Sequence, residues 1–324
     1  MDYQNEAIIQ GRKIKVKKPD FFVVGAPKCG TTSLCNYLEQ HPDVFISKPK
    51  EPGYFDQDLV AKPRRGRTIE KYLNLFENAK DKVCGEGSSR YLYSKVAAQQ
   101  IHDLNPEAKI IIMLRNPVDF LYSLHSQLLV DSTENISDFK SALEAEPDRC
   151  KGKRIPRDAN RPAELLYSEI AKFSEQVQRY FDTFDREQVK VIIFDDFKSN
   201  TVRVYQETLE FIGVDSSFQV PEFKVHQSNA QVKNINLFRI KKKIRRRIIS
   251  VGRLVPMFPG RTPLKKFVLR RINLILKRSG SSVEKVSREP MEPELRQHLK
   301  KQFAPEVERL SALLGRDLSH WSLD

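Results

Sequence analysis

No run of about 18 consecutive apolar residues occurs in this 324-residue sequence, so no membrane-spanning helix is expected. The opening stretch, Met1 to Lys18, is polar and basic and lacks the apolar core of a secretory signal, which argues against export by that route. Cysteine is scarce. The four present, Cys29, Cys35, Cys84 and Cys150, show neither CxxC pairing nor Cys/His ligand spacing, which leaves a disulfide scaffold or a structural zinc site with little support. Reduced thiols in a cytoplasm are the expectation. Acidic residues vanish from Gln231 to Gly280, and the whole chain carries a formal net charge of +14. Such a balance attracts anions, whether nucleotides, nucleic acid, sulfated or phosphorylated substrates or anionic lipid heads, and charge alone does not choose among them.

A hydrophobic content of 40% is enough to bury a sizeable core. Phe21 to Gly25 reads as a buried strand, and apolar residues at helical spacing follow from Thr32 to Gln40. Val44 to Ile46 is a short candidate strand, Ile69 to Phe76 carries a helical period, and Lys82 to Gly85 offers another strand. Lys109 to Leu114 is continuously apolar after its lysine, as expected of a strand covered on both faces, and Asn116-Pro117 opens a helix to about Val130. Asp131 to Arg161 is polar and proline-bearing and reads as a helix followed by a mobile surface loop. Helical signals resume from Glu164 to Phe181, and Val189 to Phe194 is a further buried strand. This alternation predicts an α/β fold with a mainly parallel central sheet flanked by helices.

Beyond Pro221 the composition changes. Basic runs interleaved with Ile240, Ile244, Phe267 and Ile272 predict amphipathic basic helices, and a last helix from Met291 to Leu314 ends at Gly315. The chain is accordingly expected to form one domain, with a basic leader (1–18), an α/β core (about 19–222) and a basic helical extension with a C-terminal helix (about 223–324).

The most informative stretch is Gly25-Ala26-Pro27-Lys28-Cys29-Gly30-Thr31-Thr32-Ser33, between a predicted strand and a predicted helix. Backbone amides of a glycine-bearing turn and a helix N-terminus converge on one point and make an anion site. The glycine spacing matches a Walker A loop, but Thr31 and Thr32 stand where that loop has its lysine and magnesium-holding hydroxyl, and the lysine sits inside at Lys28. Mg-dependent phosphoryl transfer suits such a loop poorly, and no metal is expected.

The run PKCGTTSL resembles the 5′-phosphosulfate loop of the sulfotransferase superfamily, and RNPVDFLYS, from Arg115 to Ser123, resembles its 3′-phosphate motif. The ending LSALLGRDLSHW is similar to the tail of bacterial-type members. This resemblance implies a P-loop-like three-layer fold and the donor 3′-phosphoadenosine 5′-phosphosulfate, released as adenosine 3′,5′-bisphosphate. It assigns Lys28, Cys29, Gly30, Thr31, Thr32 and Ser33 to the 5′ end of the nucleotide, and Arg115 and Ser123 to its 3′-phosphate. Lys28 doubles as a catalytic residue, because a fixed ammonium stabilises the negative charge that develops on the departing phosphate oxygen.

The segment Lys48-Pro49-Lys50-Glu51-Pro52-Gly53-Tyr54-Phe55 is similar to the glutamate-bearing segment of heparan sulfate and other glycan sulfotransferases, which implies Glu51 as the base. An acceptor hydroxyl is a weak nucleophile, and a carboxylate within hydrogen-bond reach removes its proton. His125 is the rival base, ranked second because on a helix it projects about 200° away from Ser123. Gly85 to Tyr91 resembles the family's strand-end segment, with Gly87 and Ser89 in place of a side chain and a proline, so Ser88 is a weak candidate for touching the acceptor.

The acceptor class expected is a carbohydrate or glycolipid hydroxyl or amine. The basic region has three open readings: cover for the nucleotide through Lys224 or Lys233, attraction of an anionic acceptor or lipid surface at the inner face of the membrane, or a solvated face. A small-molecule kinase and a basic nucleic-acid-binding protein remain as rivals, the former disfavoured by the missing lysine after Gly30 and the latter leaving RNPVDFLYS without a purpose; nucleic acid is not the expected partner. No sequence signal bears on oligomeric state.

Overall fold

The computed structural model of the chain describes residues 6–9, 12–15, 17–62, 66–220, 223, 231–232, 283–284 and 289–323. The expected amphipathic basic helices of 231–280, and Lys224 and Lys233, lie outside the described residues apart from a two-residue strand. Within the basic leader, β1 (Glu6–Ile9) and β2 (Arg12–Lys15) pair as an antiparallel hairpin.

Five strands build the central sheet: β3 (Phe21–Gly25), β4 (Val44–Ile46), β5 (Val83–Gly87), β6 (Lys109–Leu114) and β7 (Val189–Ile193). Their order is β4-β5-β3-β6-β7 and every pairing is parallel. All five residues of β3, and all of β6 except its leading lysine, are buried, as β-branched and aromatic runs covered on both faces should be. After β3 the chain crosses outward to β4, returns to β5, and then passes to the opposite side of β3 to form β6. Strand order therefore reverses at β3, and ligands of open α/β sheets bind at such a switch point, beyond the carboxyl ends of the strands. Gly25 ends β3 at that place.

The helix after β3 spans Thr31–Leu38, starting one residue earlier and ending two earlier than predicted. The helix Pro117–Asp131 starts where the Asn-Pro signal put it: Asn116 Oδ1 accepts from the Val118 amide at 2.9 Å, and proline occupies the first turn, where no intrahelical donor is needed. The C-terminal helix runs Pro293–Leu314 and stops at Gly315, whose left-handed conformation closes the last turn.

The segment 131–161, read as a helix followed by a surface loop, carries two short helices, Phe139–Glu144 and Glu146–Cys150, and then a mostly exposed stretch of turns over 151–161; the helices pack on a buried polar knot. The Arg149 guanidinium meets Glu134 Oε1 at 2.8 Å, both side chains being inaccessible to solvent, and the Tyr167 hydroxyl donates to Glu134 Oε2 at 2.8 Å. The amides of Asn135 and Ile136 also donate to Glu134. A buried charge is tolerable when it is paired and hydrogen-bonded, and a pair so satisfied fixes the chain that carries it.

Candidate active site

The predicted phosphate loop sits where β3 and β6 end side by side. The Ala26 amide donates to Met113 O at 2.7 Å, tying the first loop residue to the strand that delivers Arg115. Gly30 caps the following helix with φ 91°, in the left-handed region, and no side chain closes that end, so the first-turn amides of Thr31, Thr32 and Ser33 point out of the helix toward the loop. A Cβ on Gly30 would lie 3.2 Å from the Phe194 ring, so both the conformation and the space call for glycine.

Phe194, which follows β7, also lies under Arg115, whose guanidinium carbon is 5.0 Å from the ring centre. One aromatic ring thus braces both anchor motifs. Arg115 pairs with Asp119 one turn along at 3.6 Å, and Asp119 pairs more closely with Arg296 of the C-terminal helix at 2.6 Å. Ser123 is buried on the same helix, and Lys28 Nζ reaches Gln127 Oε1 on that helix at 3.5 Å. The two predicted anchors therefore lie along one edge of the sheet, at the carboxyl ends of β3 and β6, on adjoining elements. Cys29 and Thr31 are buried, and the Cys29 amide is taken up by Ala26 O at 3.3 Å; burial pushes the Cys29 thiol up to about 12, so that side chain belongs to the core.

Glu51 faces the loop from the β5 side. Its amide donates to Gly87 O at 3.1 Å, the Gly53 amide donates to Ser88 Oγ at 3.0 Å, and the Tyr54 amide donates to the Tyr91 hydroxyl at 2.7 Å. The Arg67 guanidinium donates to the carbonyls of Pro52 and Gly53 from the other side. Around the carboxylate, Ser89 Oγ donates to Oε1 at 2.9 Å, Arg90 donates to Oε2 at 2.9 Å, and Lys50 Nζ lies 3.5 Å from Oε1. Arg90 is itself shared with the buried Glu164 and with Asp131 at 3.9 Å.

Lys28 and Glu51 have φ of 64° and 57°, a conformation that side chains other than glycine adopt at a cost of about 1–3 kcal/mol each. Strain of this kind persists where the surroundings over-determine it, and both residues lie in segments pinned on either side.

A family model described as "Sulfotransferase domain" matches residues 18–250. The chain belongs to the sulfotransferase domain family. Over 95% of its length this chain superposes on the whole of a crystallised sulfotransferase from Alicyclobacillus acidocaldarius, at 31% identity and a TM-score of 0.68. Among curated proteins it is similar to mouse carbohydrate sulfotransferase 15, 25% identical over 64% of this chain and 46% of that one. It also resembles mouse bifunctional heparan sulfate N-deacetylase/N-sulfotransferase 3, 25% identical over 68% of this chain and 25% of that one. The sulfotransferase thus spans less than half the length of each of these two curated relatives.

Sequence reasoning placed His125 as the rival base, and the structure takes it out of reach. The ring is buried between Phe139 and Tyr167, its Nε2 bonds to Ile136 O at 2.9 Å, and burial holds its pKa below the ordinary histidine value. Ser88, the weak acceptor contact, is buried and spends its hydroxyl on Gly53 N and Glu86, so its place is structural. Lys48 turns outward to Glu39 at 2.6 Å. Sequence reasoning missed Phe194, Ser89, Arg90 and Arg296. Only the position of Phe194 at a strand end, and of Ser89 and Arg90 in the strand-end segment, offered a signal for them.

Proposed function

We propose that this sulfotransferase takes the sulfuryl group of 3′-phosphoadenosine 5′-phosphosulfate to a hydroxyl or amine of a carbohydrate or glycolipid, with Glu51 as base. The observation that carries the reading is the shared edge at which an uncapped helix N-terminus, Lys28 and Arg115 converge, braced by the single ring of Phe194. The residues fit a doubly phosphorylated nucleotide: amides, a lysine and hydroxyls at one end, and a guanidinium with Ser123 at the other. An Arg fork suits a terminal phosphate because it donates two parallel hydrogen bonds.

When bound, the donor supplies a sulfuryl group on a phosphate leaving group. Lys28 places positive charge at the 5′ end of the nucleotide, where the loop amides also point. Arg115, 5.0 Å over the centre of the Phe194 ring and sharing Asp119 with Arg296, fixes the 3′ end. Glu51 accepts the proton of the acceptor group, while Ser89 and Arg90 hold its carboxylate in a single orientation. The named substrates of the curated relatives, a carbohydrate and heparan sulfate, support the acceptor class.

Calorimetric titration with adenosine 3′,5′-bisphosphate tests the donor half. Micromolar binding is expected, weakened by about 10- to 100-fold in Lys28→Ala and in Arg115→Ala, the range for loss of a charge-assisted hydrogen bond. A folded wild-type protein that binds no bisphosphate rejects the reading. Mass spectrometry for gain of sulfate across a glycan and metabolite library tests the acceptor half.

A further inference from the structure

We propose that Lys50 is a second catalytic cation, placed on the sulfuryl group itself while Lys28 serves the departing phosphate; this rests on the donor reading above. Lys50 Nζ donates to Thr32 Oγ1 at 3.0 Å, in the first turn of the phosphate-loop helix, and lies 3.5 Å from Glu51 Oε1. Its ammonium therefore stands between the loop that holds the donor and the carboxylate that deprotonates the acceptor. Lys28 reaches the other way, toward Gln127 on the helix of the 3′-phosphate motif. The two lysines divide the loop between them.

The neighbourhood is cut to admit the Lys50 side chain. A Cβ on Gly87, at the end of β5, would lie 3.5 Å from Lys50 Cε and 2.6 Å from Cys35 Sγ. No side chain larger than hydrogen fits there without displacing Cys35, so the strand end stays bare and the lysine stem runs across it. Lys48, two residues earlier, is 76% exposed and paired outward with Glu39, whereas Lys50 is 24% exposed and turned inward.

Ser89 and Arg90 already hold the two oxygens of Glu51 at 2.9 Å, so the orientation of its carboxylate does not depend on Lys50. An ammonium carries three donors, and Thr32 accepts from one of them. The same nitrogen lies 3.5 Å from Glu51 Oε1, which sets the ammonium between the loop helix and the base.

In the step this arrangement serves, the acceptor O–H or N–H gives its proton to Glu51, and the freed electron pair forms the new bond to sulfur. The bond from sulfur to the bridging oxygen breaks, and its pair stays on the phosphate. Negative charge remains on the other sulfuryl oxygens throughout, close to the Glu51 carboxylate. A fixed cation between them lowers that repulsion without any reorganisation.

The test compares dissociation constants of adenosine 3′,5′-bisphosphate, which lacks the sulfuryl group, and of 3′-phosphoadenosine 5′-phosphosulfate by calorimetry, in wild type, Lys50→Met and Lys50→Arg. For Lys50→Met, bisphosphate affinity should stay within about threefold while phosphosulfate affinity falls about tenfold or more, as expected for loss of one charge-assisted hydrogen bond. Lys50→Arg should keep most of the wild-type preference. Release of bisphosphate from the phosphosulfate should slow by about 100-fold in Lys50→Met, and added ethylammonium should restore part of that rate in Lys50→Ala. If Lys50→Met keeps the wild-type ratio of the two affinities, or loses both together, the proposal is overturned while the donor reading stands. A wild type that binds neither nucleotide overturns the donor reading first, and this proposal with it.

Discussion

The phosphate loop and the Glu51 segment face each other across the ends of neighbouring strands, yet they are held by different means. The loop is positioned by backbone: the end of β3, the Ala26 amide on Met113 O, the left-handed turn at Gly30 and the open amides of the next helix. The Glu51 segment is positioned largely by side chains from elsewhere in the chain, namely Arg67, Ser88, Ser89, Arg90 and Tyr91. Backbone positioning follows from a short contiguous motif and tolerates change in the flanking side chains. Side-chain positioning depends on partners far away in sequence and fails one contact at a time.

If this contrast is real, substitutions on the two sides should separate binding from turnover. The largest effect is expected from Glu51→Gln, which should cut turnover by about 10²- to 10⁴-fold, the usual contribution of a general base, with bisphosphate affinity unchanged by calorimetry. Retained turnover would remove Glu51 from the base role. Next comes Arg90→Met, which removes the donor on Glu51 Oε2 and the ion pair of the buried Glu164. Turnover should fall by about 10-fold or more and thermal stability should drop by a few kcal/mol, again at unchanged bisphosphate affinity. A loss of bisphosphate binding in Arg90→Met would erase the distinction between the two sides.

The smallest effect concerns pH. Burial pushes the Glu86 carboxyl up to about 8, against the pull of the hydroxyls of Tyr91, Tyr72 and Ser88. The folded chain thus keeps a proton that the unfolded chain releases near the ordinary value of 4.5, and folding takes up that proton between about 4.5 and 8. Stability from this group is full below that window and is lost as pH rises through it, at no more than about 1.4 kcal/mol per pH unit. Glu86→Gln should flatten the decline in urea-unfolding free energy between pH 5 and pH 8. An unchanged slope would show that Glu86 does not titrate in that range. Glu86 touches Ser88, which holds Gly53, so this measurement also probes how firmly the Glu51 segment is seated.

The loop, the strand before it and the helix after it were readable from Phe21 to Leu38, because a buried parallel strand and a glycine turn are local patterns. So was the Asn116-Pro117 start, which carries its own cap. The helix-then-loop order of 131–161 was readable in outline, but the pairing of Glu134 with Arg149 and Tyr167 that seats it was not, because no window of sequence brings those residues together. His125 stood as a rival base because one branch of the resembled family uses a histidine and this one lies two residues past Ser123, and burial against Phe139 and Tyr167 cannot be read from spacing along one helix.

By itself the sequence determined an α/β chain with a glycine-bearing strand-to-helix turn, since hydrophobic periodicity and glycine placement act over a few residues and encode their geometry locally. Only the tertiary structure decided which groups surround Glu51, which of the two nearby lysines turns inward, and that one phenylalanine braces both anchors. Those outcomes depend on strand order and on contacts between residues tens of positions apart, where distance along the chain says nothing about distance in space.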